Sequence, residues 1–124
     1  MRNDRRTYAR FDTDIDACAF FENLSDEIKC RVVNISEIGA CVEIGVFPDY
    51  QEYIQKGSVM KLQFIDSFPF GSYLESDVIN ISCNIRYVEE QEGRLVIGCA
   101  VNSEDYKSYV RHRETARIFG KDQK

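Results

Sequence analysis

The sequence predicts an all-β protein with a C-terminal helix, in which about six antiparallel strands close into a small barrel. Two observations predict the strands: short apolar or alternating runs follow one another from Ile15 to Val101, and turn residues separate them. A third predicts the helix, because the apolar residues of Ser103–Phe119 recur with a helical period. Closing the sheet leaves no exposed strand edges, which favours a barrel over an open sheet.

Three strands are predicted in the first half of the chain. Ile15–Glu22 is the first, and the turn residues Asn23–Glu27 favour a hairpin into the second strand, Ile28–Ile35. A glycine then breaks the chain before the third strand, Ala40–Ile44. The segment that follows, Phe47–Gln55, is consistent with either a short helical turn or an irregular crossover.

Three further strands are predicted in the second half. Val59–Ile65 alternates strictly, which places on its inner face Met60, Leu62 and Phe64. The proline and glycine of Asp66–Tyr73 predict a loop. Val78–Val88 is predicted as a long strand whose inner face carries Ile79, Ile81, Cys83, Ile85 and Tyr87. An acidic turn, Glu89–Gly93, then returns the chain into the last strand, Leu95–Val101.

The final segment is predicted to be an amphipathic helix. Ser103 is placed to cap its N-terminus, and Gly120 is a natural stop. Its apolar side carries Tyr106, Tyr109, Val110, Ala116 and Phe119. The one histidine of the chain, His112, falls among these residues and is interpreted as a packing or surface residue. Since no nucleophile and base can be paired around it, we expect no enzymatic activity.

The composition indicates one soluble domain. The 124 residues are 44% hydrophobic and 30% charged, and no apolar run approaches the roughly 20 residues that a membrane helix needs. No secretory signal is visible, so we expect a cytoplasmic protein without membrane insertion. The net charge of −5 argues against binding to DNA or RNA polymers, which depends on positive surface.

The cysteines indicate reduced, structural thiols. Their number is odd and none is spaced as CxxC, which argues against a disulfide framework, a metal site or a metal cofactor. In strand-like runs a free cysteine behaves as a small buried apolar residue. The five residues are Cys18, Cys30, Cys41, Cys83 and Cys99.

The chain begins with a cationic arm on an otherwise acidic protein. Residues 1–10 carry four arginines against one aspartate, a local charge of +3. Such a run alone is usually a solvated terminus, but it also suits a small anionic target. Arg6 and Arg10 are four residues apart, so they lie on the same side of an extended or helical arm. Two adjacent guanidinium groups can grip phosphates or read guanine O6 and N7, and Tyr8 could stack on a base.

A second distinctive stretch, NISEIG, begins at Asn34. On a strand, Asn34 and Ser36 share one face, which we expect to be the outer wall. The residues expected to fill the barrel are Val33 and Ile35. Gly39 permits a positive φ or the close approach of another backbone or a ligand. Taken alone, these residue types also describe an ordinary turn.

Together the two stretches resemble the PilZ domain family, whose pattern is RxxxR followed by D/N-x-S-x-x-G on the next strands. Arg6 and Arg10 match the first motif. Asn34, Ser36 and Gly39 match the second. The resemblance covers nearly the whole chain, because that family also has a six-stranded antiparallel barrel and a C-terminal helix.

PilZ domains are bacterial receptors for cyclic di-GMP, a second messenger with two phosphates and two guanines. The resemblance implies a flexible arm, residues 1–12, that folds over the nucleotide on the outer surface of a barrel domain, residues 13–124. It implies that Arg6 and Arg10 contact guanine edges and phosphates, while Asn34 and Ser36 hydrogen-bond a guanine. Gly39 would leave room for the ring.

The resemblance implies two further ligand contacts and an output. Arg5 precedes the first motif, as in relatives that hold two stacked ligand molecules. Gly98, in GCAV, takes the place of the glycine in the Gly-x-x-Phe of many relatives, although Val101 replaces the phenylalanine. Signalling would pass through an unidentified downstream protein or through a homodimer. The usual processes of the family are motility, exopolysaccharide synthesis and surface attachment in biofilms.

The alternative is a protein-interaction adaptor that does not bind nucleotide. Some PilZ relatives have lost the ligand, usually together with the arginines, whereas this chain keeps the signature positions. A rise in melting temperature with cyclic di-GMP would distinguish the two functions. An RNA-binding barrel is disfavoured, because the composition is acidic and no basic–aromatic face is evident.

Overall fold

The strands form one closed antiparallel barrel in a computed structural model of the chain, as predicted. The structure describes residues 9–22, 24–45 and 52–122, the last four of these by their backbone only. The elements are β1 (Phe11–Phe21), β2 (Ile28–Ser36), β3 (Gly39–Gly45), β4 (Val59–Phe70), β5 (Tyr73–Gln91), β6 (Arg94–Val101) and α1 (Glu104–Asp122). The strand order is β1-β2-β3-β6-β5-β4, and pairing of β1 with β4 closes the ring.

The inner faces of the strands form the core. The alternation predicted for β4 is confirmed, since its buried side chains include Met60, Leu62 and Phe64. Fully buried residues from the other strands include Val32, Ile35, Val42, Cys83, Ile85 and Ile97. At roughly 1.5–3 kcal/mol for each large apolar side chain removed from water, this interior is the main source of stability.

Three β-bulges interrupt the regular pairing. The register shifts between Asp12 and Ile15 where β1 meets β2, and between Val32 and Asn34 where β2 meets β3. A third shift, between Ile85 and Tyr87, lies where β5 meets β6. A bulge adds one residue to one strand and so changes which side chains face the core.

The β4–β5 hairpin is longer than predicted, and the predicted loop Asp66–Tyr73 is wrong. β4 continues to Phe70 and β5 starts at Tyr73. Pro69 is tolerated in this strand because β4 pairs with β1 only as far as Phe64, so beyond that residue it has a strand partner on one side.

Asp66, inside the predicted loop, is a buried charged residue of the strand. Its Oδ2 accepts hydrogen bonds from Tyr109 Oη at 2.8 Å and from Arg113 Nε at 2.5 Å. Side chains of α1 therefore satisfy the carboxylate and fix the helix against β4.

Helix α1 packs against the barrel, mainly against β4. The predicted N-cap is confirmed, because Ser103 Oγ accepts a hydrogen bond from Tyr106 N at 3.2 Å. The predicted stop at Gly120 is wrong, since the helix continues to Asp122. His112 is a packing residue as interpreted: its ring stacks on Phe70 with centroids 4.8 Å apart. No helix among the described residues is long and apolar enough to cross a membrane.

Other element boundaries differ from the predicted ones by a few residues. β1 begins at Phe11 rather than Ile15, so the last two residues of the predicted arm, Phe11 and Asp12, lie in the barrel. Residues 1–8 of that arm lie outside the described residues. The segment Phe47–Gln55 was consistent with two interpretations. Within it, Glu52 and Tyr53 form a short 3₁₀ turn, whereas residues 47–51 lie outside the described residues.

All five cysteines are free, as predicted, but their environments differ. Cys30, Cys83 and Cys99 belong to the core. Cys18 is only half-buried, so the expectation of a buried apolar role fails there. Cys41 is buried without being part of the core cluster, because it faces the outer wall.

Candidate functional site

A cavity of about 600 Å³ on the outer wall brings together the predicted site residues that the structure describes. Its lining includes Arg10, Asn34, Ser36, Gly39 and Gly98. The two other predicted residues, Arg5 and Arg6, lie outside the described residues. Strands β2, β3, β5 and β6 therefore form the wall of the site, and the residue preceding β1 lies at its edge.

The centre of the site is one row of residues that runs across four strands. Asn34 of β2 pairs with Cys41 of β3, Cys41 pairs with Gly98 of β6, and Gly98 pairs with Tyr87 of β5. Directly paired residues in antiparallel strands share a face, so all four belong to the outer wall. At about 4.8 Å between strands, the row spans roughly 14 Å, which suits a ligand larger than one base.

The bulge at Val33 turns the polar motif outward. Inward residues alternate along β2 as far as Val32, so regular alternation would also have turned Asn34 inward. Val33 is the extra residue, and after it Ile35 returns to the core. The prediction that Asn34 and Ser36 share a face other than that of Ile35 is confirmed. The prediction that Val33 fills the barrel is wrong, because the bulge leaves it half-buried.

The bulge at Arg86 has the same effect on β5. The inward series of this strand ends at Ile85, and Tyr87 is 41% exposed on the outer wall. The prediction that Tyr87 continues the inner face is therefore wrong. Without the extra residue, Arg86 would stand opposite Gly98, and the aromatic ring would not reach the site.

Gly98 leaves the space in which the Tyr87 ring lies. A Cβ at position 98 would be 2.0 Å from Tyr87 Cε2, far inside any real contact. The ring therefore lies over the bare backbone of β6 at Gly98, and its Oη is 3.9 Å from the Sγ of Cys41. Burial raises the pKa of both the Cys41 thiol and the Tyr87 hydroxyl, so both are uncharged near neutral pH.

The SEIG turn at the other end of the cavity is held by the barrel and by α1. A Cβ at Gly39 would be 2.6 Å from the Cys99 carbonyl oxygen, so Gly39 serves the close approach of another backbone. The Gly39 carbonyl accepts a hydrogen bond from Tyr106 Oη at 2.8 Å, and Ile38 O accepts one from Val101 N at 2.9 Å. Ser36 is buried to 7% exposure while lining the cavity, and its Oγ accepts a hydrogen bond from Ile38 N at 3.4 Å.

The site is cationic, whereas the chain as a whole is acidic. Arg10 and Arg86 both line the cavity and both are exposed. Within the described ranges, neither guanidinium has a carboxylate within salt-bridge distance, whereas Arg31, Arg94, Arg111 and Arg113 each have one. Arginines without a carboxylate partner, next to the polar side chains of Asn34 and Ser36, are suited to binding an anion.

Sequence reasoning missed several lining residues, among them Ile38, Cys41, Arg86 and Tyr87. The strand pattern assigned Cys41 and Tyr87 to the interior. A possible signal was the tyrosine of a hairpin whose return strand carries a glycine, since a ring often lies over a strand glycine. The pairing register that would reveal this depends on a bulge with no compositional marker.

Comparison with known proteins finds one matching family model and several solved structures with a similar fold. The model of the family described as PilZ domain matches residues 4–112. The PilZ domain of YcgR from Escherichia coli, solved with c-di-GMP, has a TM-score of 0.68 at 11% identity, covering 97% of each chain. The Bacillus subtilis inhibitor of motility (MotI/DgrA) has a TM-score of 0.67 at 18% identity. The MrkH–c-di-GMP complex of K. pneumonia has a TM-score of 0.67 at 14% identity.

These structural similarities show a shared fold. The match to MotI covers 95% of this chain, and the match to MrkH covers all of it. The chain spans only about half the length of those two proteins, 54% of MotI and 56% of MrkH. No curated protein sequence matches the chain significantly.

Proposed function

Because this chain belongs to the PilZ domain family, we propose that it is a cyclic di-GMP receptor that holds the nucleotide in the outer-wall cavity. The observation that carries the proposal is the convergence of Arg10, Asn34, Ser36 and Gly98 on one cavity from three separate parts of the chain. YcgR and MrkH, which share the fold, have been solved with c-di-GMP.

Each feature of the site suits one feature of the ligand. Cyclic di-GMP has two phosphates, which the arginines at the cavity edge can neutralise. It also has two guanines, whose O6 and N7 atoms accept a bidentate guanidinium. Asn34 and Ser36 provide neutral donors and acceptors for a guanine edge. The exposed ring of Tyr87 provides an apolar surface on which a purine can stack.

In this proposal the arm is the segment that changes conformation when the ligand binds. Arg5 and Arg6 stand in the RxxxR segment that ends at Arg10, and Arg10 already lines the cavity. Ordering the arm costs roughly 1–2 kcal/mol for each residue that is fixed. A bidentate contact between arginine and guanine contributes about 1–3 kcal/mol. The arm therefore closes only when a ligand supplies several contacts, which makes its position report ligand binding.

In this proposal the signal passes to a downstream protein that recognises the closed arm. We place the receptor in the bacterial cytoplasm, where it would control motility, exopolysaccharide synthesis or biofilm attachment. One structural neighbour is described as an inhibitor of motility. Self-association into a homodimer is a second way in which closure of the arm could transmit the signal.

Calorimetric titration with cyclic di-GMP tests the proposal. We expect the parent chain to bind, Arg10→Ala to lose about tenfold or more, and Arg6→Ala combined with Arg10→Ala to bind undetectably. Arg94→Ala is the matched control, because it removes an exposed arginine that pairs with Glu43 outside the cavity. Melting temperatures should stay unchanged, since Arg10 is exposed. A parent chain that binds no cyclic di-GMP would favour the protein-interaction adaptor.

A further inference from the structure

The row of paired residues that forms the site continues onto a fifth strand. Asp12 of β1 stands directly opposite Asn34 of β2, on the far side from Cys41. The residues beside this pair, Phe11 and Ile35, are also paired with each other and are both buried in the core. Asp12 and Asn34 therefore point together to the outer wall, with Cβ atoms about 4.5–5.5 Å apart.

A β-bulge in β1 determines that Asp12 is the residue opposite Asn34. With the register of Ile15 opposite Val32 continued, Thr13 rather than Asp12 would stand opposite Asn34. The bulge is pinned by a hydrogen bond in which Thr13 Oγ1 donates to the Val32 carbonyl at 2.8 Å. The alignment of Asp12 with the row is thus a fixed feature of the fold rather than a chance of side-chain orientation.

The Asp12 carboxylate is available to a ligand. It is exposed and forms no ion pair within the described part of the chain. Its neighbour Asp14, in contrast, lies 3.1 Å from Arg31 Nε. An anionic group beside a cationic cavity weakens the binding of phosphates unless it makes a contact of its own. The placement of Asp12 therefore calls for a donor group on the ligand.

Guanine has such donors. Its Watson–Crick edge presents N1–H and the exocyclic 2-amino group side by side, and a carboxylate can accept both with its two oxygens. Asn34 is neutral, so it cannot make this charge-assisted pair itself, while its cross-strand neighbour can. On the basis of the function proposed above, we infer that Asp12 binds the N1–H and 2-amino edge of a guanine of the ligand and gives the site its preference for guanine.

The sign of the change in affinity distinguishes a direct contact of Asp12 with the ligand from a general charge effect. Removing a negative charge near a doubly anionic ligand should strengthen binding if only long-range electrostatics acts. Removing a direct contact should weaken it. Asp16 provides the matched control, since it is an exposed aspartate of the same strand that stands opposite Arg31 rather than opposite Asn34.

The test compares cyclic di-GMP with its inosine analogue, which keeps the phosphates and O6 but lacks the 2-amino group. We expect the parent and Asp16→Ala to bind the analogue about tenfold more weakly than cyclic di-GMP. Asp12→Ala should bind cyclic di-GMP about tenfold or more weakly than the parent does, and should bind the two ligands equally within about twofold. Circular dichroism should show an unchanged fold.

Each other result overturns the inference in a recognisable way. If the Asp12→Ala variant binds cyclic di-GMP more tightly than the parent does, this carboxylate competes with the ligand for the arginines. Asp12→Ala that binds weakly but still prefers cyclic di-GMP to the analogue would mean a structural role. Failure of the parent chain to bind cyclic di-GMP would refute the proposed function as well, and only that result does so.

Discussion

The ring of Tyr87 occupies the space that a side chain at position 98 would need, since a Cβ there would lie 2.0 Å from Tyr87 Cε2. The two residues pair directly across β5 and β6, and the glycine allows the ring to lie on the backbone. The ring is therefore positioned at the site by a residue that has no side chain of its own.

Gly98→Ala should displace the Tyr87 ring and weaken binding of cyclic di-GMP by about tenfold, because the stacking surface is lost. Stability should change by less than about 1 kcal/mol, since the displaced ring is the free end of an exposed side chain. Calorimetry in a Tyr87→Ala background provides the control. There, Gly98→Ala should have no further effect, and a second full loss would mean that Gly98 acts without the ring.

Arg113→Ala should destabilise the fold by about 1–3 kcal/mol, because the buried Asp66 carboxylate would lose a charged partner and keep only the Tyr109 hydroxyl. Urea unfolding measures this change. Arg111→Ala is the matched control on the same helix, since its partner Glu37 lies in a more exposed pair worth roughly 0–1 kcal/mol. Equal effects of the two substitutions would contradict the buried role of Asp66.

Tyr106 and Tyr109 should resist ionisation at alkaline pH. Burial raises the pKa of both above the ordinary value of 10.0, so the folded state holds these protons more tightly than the unfolded state does. Their contribution to stability is complete below pH 10 and is lost as pH rises above it. Absorbance of tyrosinate against pH should show a late phase that coincides with unfolding. An early, non-cooperative ionisation of all seven tyrosines would contradict the packing of α1.

Thiol labelling should separate the five cysteines into classes. Half-exposed Cys18 should react first, and the core thiols should stay unlabelled in the folded protein because the reagent cannot reach them. Burial also raises the pKa of Cys30 to about 12, which lowers its reactivity further. Cys41, under the Tyr87 ring, should react slowly and become protected by cyclic di-GMP. Mass spectrometry with Cys41→Ser as the control checks this, and labelling of Cys41 that ignores a bound ligand would place the ligand elsewhere.

Much of the fold could be predicted because local patterns agree with it. The alternation of β4, the Ser103 cap and the order of strands and turns each follow from short-range signals. Family resemblance added Arg10, Asn34, Ser36, Gly39 and Gly98, which the fold brings to one cavity. The positions of Arg5 and Arg6 remain predictions.

The features that were not predicted depend on pairing rather than on composition. A bulge changes the face of every residue beyond it without a characteristic residue type, so Tyr87 and Val33 were assigned to the wrong faces. Proline and glycine indicated a loop at Asp66–Tyr73, yet the single partner strand of β4 there tolerates a proline. The register that aligns Asp12 with Asn34 is likewise a tertiary property.

A crystal structure at saturating cyclic di-GMP would show where the nucleotide binds. We expect nucleotide density in the outer-wall cavity, with one guanine on the Tyr87 ring, the Arg10 guanidinium within hydrogen-bond distance of the ligand, and the arm ordered over it. Density for the nucleotide at another surface, or a vacant cavity with Arg10 turned to solvent, would contradict the proposal.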